Sequence, residues 1–76
     1  MSRRDKRIEK MRQNLKNVRF EELDALFLSL GFVGRQKGSH MTYTNGEHQI
    51  TIPIHKPFIK PIYIKLTLQI LDELEE

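Results

Sequence analysis

The sequence contains no cysteine and no tryptophan, and it has only three prolines among its 76 residues. Without cysteine the chain can form neither a disulfide nor a thiolate-ligated zinc site, and this absence is in keeping with a reducing compartment. No apolar run approaches the roughly 20 residues that a membrane-spanning helix requires. The basic N-terminus also lacks the apolar stretch of a secretion signal. These absences predict a small cytoplasmic protein with no membrane partner.

The 13 basic and 10 acidic residues are segregated along the chain rather than mixed. Residues 1–20 carry eight Lys/Arg and two acids, and residues 31–65 carry five Lys/Arg and one acid. The remaining acids concentrate in residues 21–30 and 66–76. Two basic regions on so small a protein favour a polyanionic partner, of which a nucleic acid is the obvious example. For the N-terminal region alone, the alternative is a solvated basic tail.

Residues 37–54, KGSHMTYTNGEHQITIPI, predict two short strands joined by a turn at Asn45-Gly46. Asn-Gly favours a two-residue hairpin loop because both residues tolerate positive φ, and such a loop pairs Thr44 with Glu47. Since side chains alternate between the two faces of a strand, one face is predicted to be apolar and the other polar. The apolar face comprises Met41, Tyr43, Ile50 and Ile52, and the polar face comprises His40, Thr42, Gln49 and Thr51.

Helical spacing of apolar residues predicts the elements on either side of this hairpin. Within residues 2–15 the apolar residues would form one narrow stripe on a helix. This pattern predicts a short helix that either docks on the domain or frays. Residues 20–30 predict a second helix that ends at Gly31, and residues 61–76 predict a last helix that begins at Pro61. The buried face of the last helix is predicted to comprise Tyr63, Leu66, Ile70 and Leu74, broadened by Ile64, Leu68 and Leu71.

A further strand is predicted at residues 32–37, before a turn at Gly38. Arg35 and Lys37 are placed on the open face beside His40, because charged groups resist burial. The resulting order is helix, helix, three strands and helix. It predicts an α+β fold of the double-stranded-RNA-binding type, in which a three-stranded antiparallel sheet packs on two helices. Residues 1–17 are predicted to be a basic N-terminal extension that adds one helix to the domain at residues 18–76.

Three segments of the sequence carry a resemblance to a known protein family. They are Gly31-Phe32 at a helix end, residues 35–40 (RQKGSH) entering the second strand, and residues 50–55 (ITIPIH) closing the third. Together they resemble the HicA (YcfA-like) family of bacterial toxins, over about residues 18–75. The resemblance implies a double-stranded-RNA-binding-like fold and an mRNA-cleaving ribonuclease of a type II toxin–antitoxin system. It also implies a HicB-type antitoxin that covers the active site, and it makes His40 the catalytic histidine.

The residues around His40 are chemically suited to cutting RNA. Cleavage without a metal requires a group that takes the proton of the 2′-hydroxyl, and imidazole exchanges protons near neutral pH. Arg35 and Lys37 beside it are predicted to hold the phosphate and to stabilise developing charge. Thr42 and Thr51 are candidates for orienting the imidazole or contacting a 2′-hydroxyl. The candidate RNA-binding residues are Arg35, Lys37, Ser39, Thr42 and His55.

Neither a metal nor a small-molecule cofactor is expected. Glu47 is the only acid near the predicted sheet, and the three histidines lack a convincing zinc spacing. His48, beside the turn, is expected to be structural, whereas His55 either joins the site or ends the strand. Tyr43 and Tyr63 are expected to be core residues rather than platforms for stacking bases.

Two other functions stay open from the sequence. A non-catalytic RNA-binding module would use the same fold and the same basic face, and it would bind RNA in a salt-dependent way without cutting it. An interaction protein would use the basic N-terminal extension to dock on an acidic partner.

Overall fold

The computed structural model describes residues 3–74, which form three helices and one sheet of three strands. The elements are α1 (Arg3–Gln13), α2 (Phe20–Ser29), β1 (Val33–Lys37), β2 (His40–Thr44), β3 (Gln49–Pro53) and α3 (Pro61–Leu74). The strands are antiparallel and lie in the order β1-β2-β3, so β2 is central. This order confirms the predicted α+β, double-stranded-RNA-binding-like fold. The predicted start of α1 at Ser2 and the end of α3 at Glu76 lie outside the described residues.

The core lies between the helices and one face of the sheet, as the alternation of side chains in β2 and β3 predicts. Along β3, for example, Ile50 and Ile52 are buried while Gln49 and Thr51 are exposed. The buried apolar residues are Met11, Val18, Leu23, Leu26, Phe27, Phe32, Tyr43, Ile50, Ile52, Ile59, Ile64, Leu68 and Leu71. The opposite face of the sheet is therefore left for solvent or a ligand.

The expected register of the second hairpin is wrong by two residues. Thr44 pairs with Gln49 and not with Glu47. The Asn45 side chain explains the difference. Its Oδ1 accepts hydrogen bonds from the backbone amides of Glu47 at 2.9 Å and His48 at 2.7 Å. These bonds stabilise a turn centred one residue further along the chain than a tight Asn-Gly loop. Since the shift is an even number of residues, every side chain keeps its predicted face.

The predicted buried face of α3 is partly wrong. Leu66 and Leu74 are 40% and 37% exposed, whereas Thr67 is fully buried. The Thr67 hydroxyl donates to the Tyr63 carbonyl at 2.8 Å, which satisfies the polar group inside the core. The buried face consists of Ile64, Thr67, Leu68 and Leu71.

Helix α1 docks on the other two helices. Met11 is 1% exposed and belongs to the core. The Arg12 guanidinium lies 2.7 Å from the Asp72 carboxylate of α3, and the Lys10 ammonium lies 3.4 Å from the Glu22 carboxylate of α2. Of the two outcomes expected for this segment, docking and fraying, the structure shows docking.

Tyr43 joins the central strand to α2. Its ring stacks on Phe27 with centroids 4.5 Å apart, and its hydroxyl donates to Asp24 Oδ1 at 2.5 Å. Burial, and then the hydrogen bond to Asp24 and the charge of that carboxylate, raise the pKa of Tyr43 well above its usual range. Gly34 leaves room for the ring, because a Cβ there would lie 3.0 Å from Tyr43 Cε1. These contacts fix the position of β2, the strand that carries His40.

Candidate active site

His40 opens the central strand on the face of the sheet that the helices do not cover. It pairs with Lys37 of β1 and with Pro53 of β3. The two-residue turn Gly38-Ser39 brings Lys37 and His40 side by side, and Gly38 adopts the positive φ of 60° that this turn needs. The His40 and Lys37 side chains are both exposed. The structure therefore brings a cation next to the imidazole, as the sequence predicts.

A second row of polar side chains follows on the same face. Thr42 pairs with Arg35 of β1 and with Thr51 of β3. The Thr42 and Thr51 hydroxyl oxygens lie 3.0 Å apart and share a hydrogen bond. Cross-strand partners point to the same side of a sheet, so Arg35 lies on the His40 face. The face thus presents an imidazole, a guanidinium, an ammonium and two hydroxyls.

The cations of this face are available to an anion. Neither Arg35 nor Lys37 takes part in the ion pairs found within residues 3–74. Both side chains are exposed. An RNA phosphate on this face would therefore meet a guanidinium and an ammonium group without first displacing a protein carboxylate.

The other two histidines occupy different surroundings. His48 lies on the helix-covered side, with its Nε2 3.0 Å from the Glu73 carboxylate of α3. His55 lies in the loop after β3, with its Nδ1 3.1 Å from the Phe58 carbonyl oxygen. Among the residues that the structure describes, no three His, Cys, Asp or Glu side chains converge in a way that could hold a metal ion.

The Ser39 backbone and the Thr42 side chain form hydrogen bonds with groups other than the His40 imidazole. The Ser39 carbonyl accepts the Ile54 amide at 2.6 Å, which holds the start of the loop after β3 against the β1–β2 turn. The Thr42 hydroxyl is bonded to Thr51. Within residues 3–74, no side chain forms a hydrogen bond with the His40 imidazole.

A cleft of about 450 Å³ lies between the start of α2 and the loop after β3, and we call it the α2–loop cleft. Its lining residues are Arg19, Phe20, Glu21, His55, Lys56 and Pro57. The sequence singles out only His55 among them as an RNA-binding candidate. Residues 19–21 and residues 55–57 are far apart in the sequence, and no local pattern predicts that they meet in the fold.

The chain is similar to a known protein family. The family described as "HicA toxin of bacterial toxin-antitoxin" matches residues 20–72, which is over two thirds of the 76-residue chain. The matched region contains α2, the whole sheet and most of α3, whereas α1 lies before it. A search of curated proteins and a search of solved structures gave no match. None of the helices in residues 3–74 has the length and apolar character needed to span a membrane.

Proposed function

The chain belongs to the HicA family of bacterial toxins, and we propose that it is an mRNA interferase, a ribonuclease that cleaves mRNA and blocks translation. As a member of this family it is the toxin of a toxin–antitoxin pair, with an antitoxin as its partner. One observation supports ribonuclease activity above all others. His40 is exposed on the open face of the sheet, beside Lys37, and Arg35 lies two residue pairs further along the same two strands.

In the proposed reaction, His40 takes the proton of a ribose 2′-hydroxyl. The 2′-oxygen attacks the adjacent phosphorus, and the bond from phosphorus to the 5′-oxygen of the next nucleotide breaks. The leaving oxygen takes up a proton from solvent water, and the His40 imidazolium gives its proton back to solvent. The products are a 2′,3′-cyclic phosphate and a 5′-hydroxyl. Arg35 and Lys37 stabilise the extra negative charge on the phosphorus oxygens in the transition state. These steps call for no metal or cofactor.

The remaining polar residues of the site are proposed to hold the RNA chain. The Thr42–Thr51 hydroxyl pair supplies donors and acceptors for a 2′-hydroxyl or a phosphate oxygen, and it lies two residue pairs along the strands from His40. Ser39 is exposed in the adjoining turn, and His55 is exposed in the loop that the Ser39 carbonyl holds in place. Single-stranded RNA laid across the strands would reach all of them.

The antitoxin is proposed to be of the HicB type and to cover this face. An acidic or neutral antitoxin surface placed over Arg35, Lys37 and His40 would block the site, and opposite charges would speed the encounter. Because mRNA is the proposed substrate, the cytoplasm is the proposed compartment.

A non-catalytic RNA-binding module is the second candidate, and one observation favours it. The base of a catalytic pair is commonly oriented by a third group. The His40 imidazole has no hydrogen-bonding side chain of that kind in the part of the chain that the structure describes. Such a module would bind RNA through the same cations and release it uncut.

Expression in a bacterial host tests the toxin function. Inducing the wild-type chain should arrest growth and deplete intact mRNA, and His40→Ala should do neither while reaching the same level of folded protein. His48→Ala is the matched control, since His48 lies on the covered side of the sheet, and it should remain toxic. Growth arrest and mRNA loss with His40→Ala equal to those of the wild type would contradict the assigned role of His40.

A further inference from the structure

The α2–loop cleft lies close to His40 and contains groups that the proposed cleavage step does not use. His40 pairs with Pro53, and His55 at the cleft follows two residues later. Paired Cα atoms lie about 5 Å apart and consecutive ones 3.8 Å apart, so the Cα atoms of His40 and His55 are separated by at most about 13 Å. The cleft is therefore within reach of a nucleotide that neighbours the one cut at His40.

Three contacts hold the loop in the shape that forms the cleft. The Ile54 amide donates to the Ser39 carbonyl at 2.6 Å, and the Ile59 amide donates to the Val18 carbonyl at 2.8 Å. Between these two points, His55 Nδ1 lies 3.1 Å from the carbonyl oxygen of Phe58. The loop is thus tied to the β1–β2 turn at one end and to the segment just before α2 at the other, which makes the cleft a preformed site.

The size and lining of the cleft suit one nucleotide. Its volume of about 450 Å³ falls in the usual range for small-ligand sites. Phe20 and Pro57 provide apolar surfaces against which a base can pack. Arg19 and Lys56 provide positive charge for a phosphate, and the Arg19 guanidinium lies 5.8 Å from the centre of the Phe58 ring.

Two lining residues present hydrogen-bond acceptors to a bound base. The Glu21 carboxylate accepts through two oxygens and donates none. His55 Nδ1 faces a carbonyl oxygen, so it carries the proton, and Nε2 of the neutral ring is then an acceptor. Guanine has two adjacent donors, N1–H and the N2 amino group, on its Watson–Crick edge. Adenine, cytosine and uracil each offer a single donor group there, so a carboxylate fits guanine best.

We propose that the α2–loop cleft binds a guanosine nucleotide of single-stranded RNA next to the cleaved phosphodiester. Glu21 recognises the base, and Arg19 and Lys56 hold the phosphate. The proposal deepens the proposed function and rests on it, because the nucleotide is taken to be part of the RNA substrate.

Titration of the ¹⁵N-labelled full chain with GMP, AMP, CMP and UMP tests the cleft directly. GMP should shift the amide resonances of Phe20, Glu21 and Lys56, and it should bind about tenfold more tightly than UMP, as a bidentate base contact predicts. Glu21→Gln should abolish this preference while retaining weak binding of all four nucleotides. Glu47→Gln, in the exposed β2–β3 turn, is the matched control and should keep the preference.

Three results would overturn the proposal: unshifted cleft amides, equal affinity for the four nucleotides, or a guanine preference that survives Glu21→Gln. The experiment measures no cleavage, so its outcome is independent of the ribonuclease assay. A chain that cuts RNA but shows no guanine preference would refute the cleft assignment alone. A chain that binds GMP in the cleft but cuts nothing would refute the proposed catalysis alone.

Discussion

Replacing Tyr43 by phenylalanine tests how the strand that carries His40 is held in place. The Tyr43 ring is fully buried and its hydroxyl donates to Asp24 at 2.5 Å. Tyr43→Phe keeps the ring and its stacking on Phe27 but removes the donor, which leaves the half-buried Asp24 carboxylate without this partner. The change therefore isolates one hydrogen bond between β2 and α2.

The expected cost follows from the charge and the position of the acceptor. A hydrogen bond to a charged group contributes about 1.5–3 kcal/mol. Asp24 is half-buried, so water partly replaces the lost donor. We therefore expect Tyr43→Phe to lower the free energy of unfolding by about 2 kcal/mol. A 76-residue domain has an unfolding entropy of about 160 cal/mol/K, so this loss lowers Tm by about 12 °C.

Urea unfolding of wild type, Tyr43→Phe, Asp24→Ala and the double variant measures the interaction as a double-mutant cycle. We expect a coupling energy of about 1–2 kcal/mol. Tyr63→Phe is the matched control, because the Tyr63 ring is only half-buried. This substitution should lower the free energy of unfolding by less than about 0.5 kcal/mol. A coupling energy near zero, or a Tyr43→Phe cost equal to that of Tyr63→Phe, would refute the role given to this bond.

Three further predictions concern the scaffold. Because the folded chain raises the pKa of Tyr43, its stabilising contribution is complete below pH 10 and falls as the pH rises; the rise in absorbance at 295 nm between pH 8 and pH 11 should be the same in Tyr43→Phe as in wild type, and a smaller rise in the variant would contradict this. Gly34→Ala places a Cβ 3.0 Å from the Tyr43 ring and should cost about 1–3 kcal/mol in urea unfolding; an unchanged midpoint would argue against close packing there. Met11→Ala should cost about 2–5 kcal/mol, whereas a neutral effect would mean that α1 is not docked in solution.

The docking of α1 changes how its basic side chains should be tested. Deleting residues 1–17 removes Met11 from the core, so a loss of RNA or antitoxin binding after the deletion could come from the fold alone. Replacing the exposed Lys6 and Lys16 by glutamine removes charge and leaves the apolar contacts of the helix in place. Comparing these variants with the wild type separates an electrostatic role in binding from a structural one.

The faces of the sheet could be predicted from the sequence, whereas the pairing of the strands could not. Alternation alone places His40 and Thr42 on one side and Tyr43 and Ile52 on the other, because the period of a strand is fixed by its backbone. The register depends instead on the turn, where the Asn45 side chain accepts two amides. An Asn-Gly pair favours a tight loop, and these side-chain bonds overrode that preference.

The residues that meet at the candidate active site could likewise be predicted from the sequence, whereas those that line the α2–loop cleft could not. Lys37 and His40 are three residues apart, so a local turn motif is enough to bring them together. The α2–loop cleft joins Arg19 and Glu21 to His55 and Lys56 through tertiary packing, and spacing along the chain carries no information about that. In α3, a hydroxyl bonded within the helix allowed Thr67 to be buried where apolar spacing favoured Leu66.

We propose that His40 cleaves RNA on the open face of the sheet. The most direct test is to incubate purified wild type and His40→Ala with mRNA in the presence of EDTA and to analyse the ends of the products. We expect the wild type to give fragments with a 2′,3′-cyclic phosphate and a 5′-hydroxyl. His40→Ala should cleave at least about 100-fold more slowly, the usual effect of losing a general base. RNA that the wild type binds but leaves intact would contradict catalysis and favour an RNA-binding module. Equal cleavage by both proteins would place the catalytic group elsewhere.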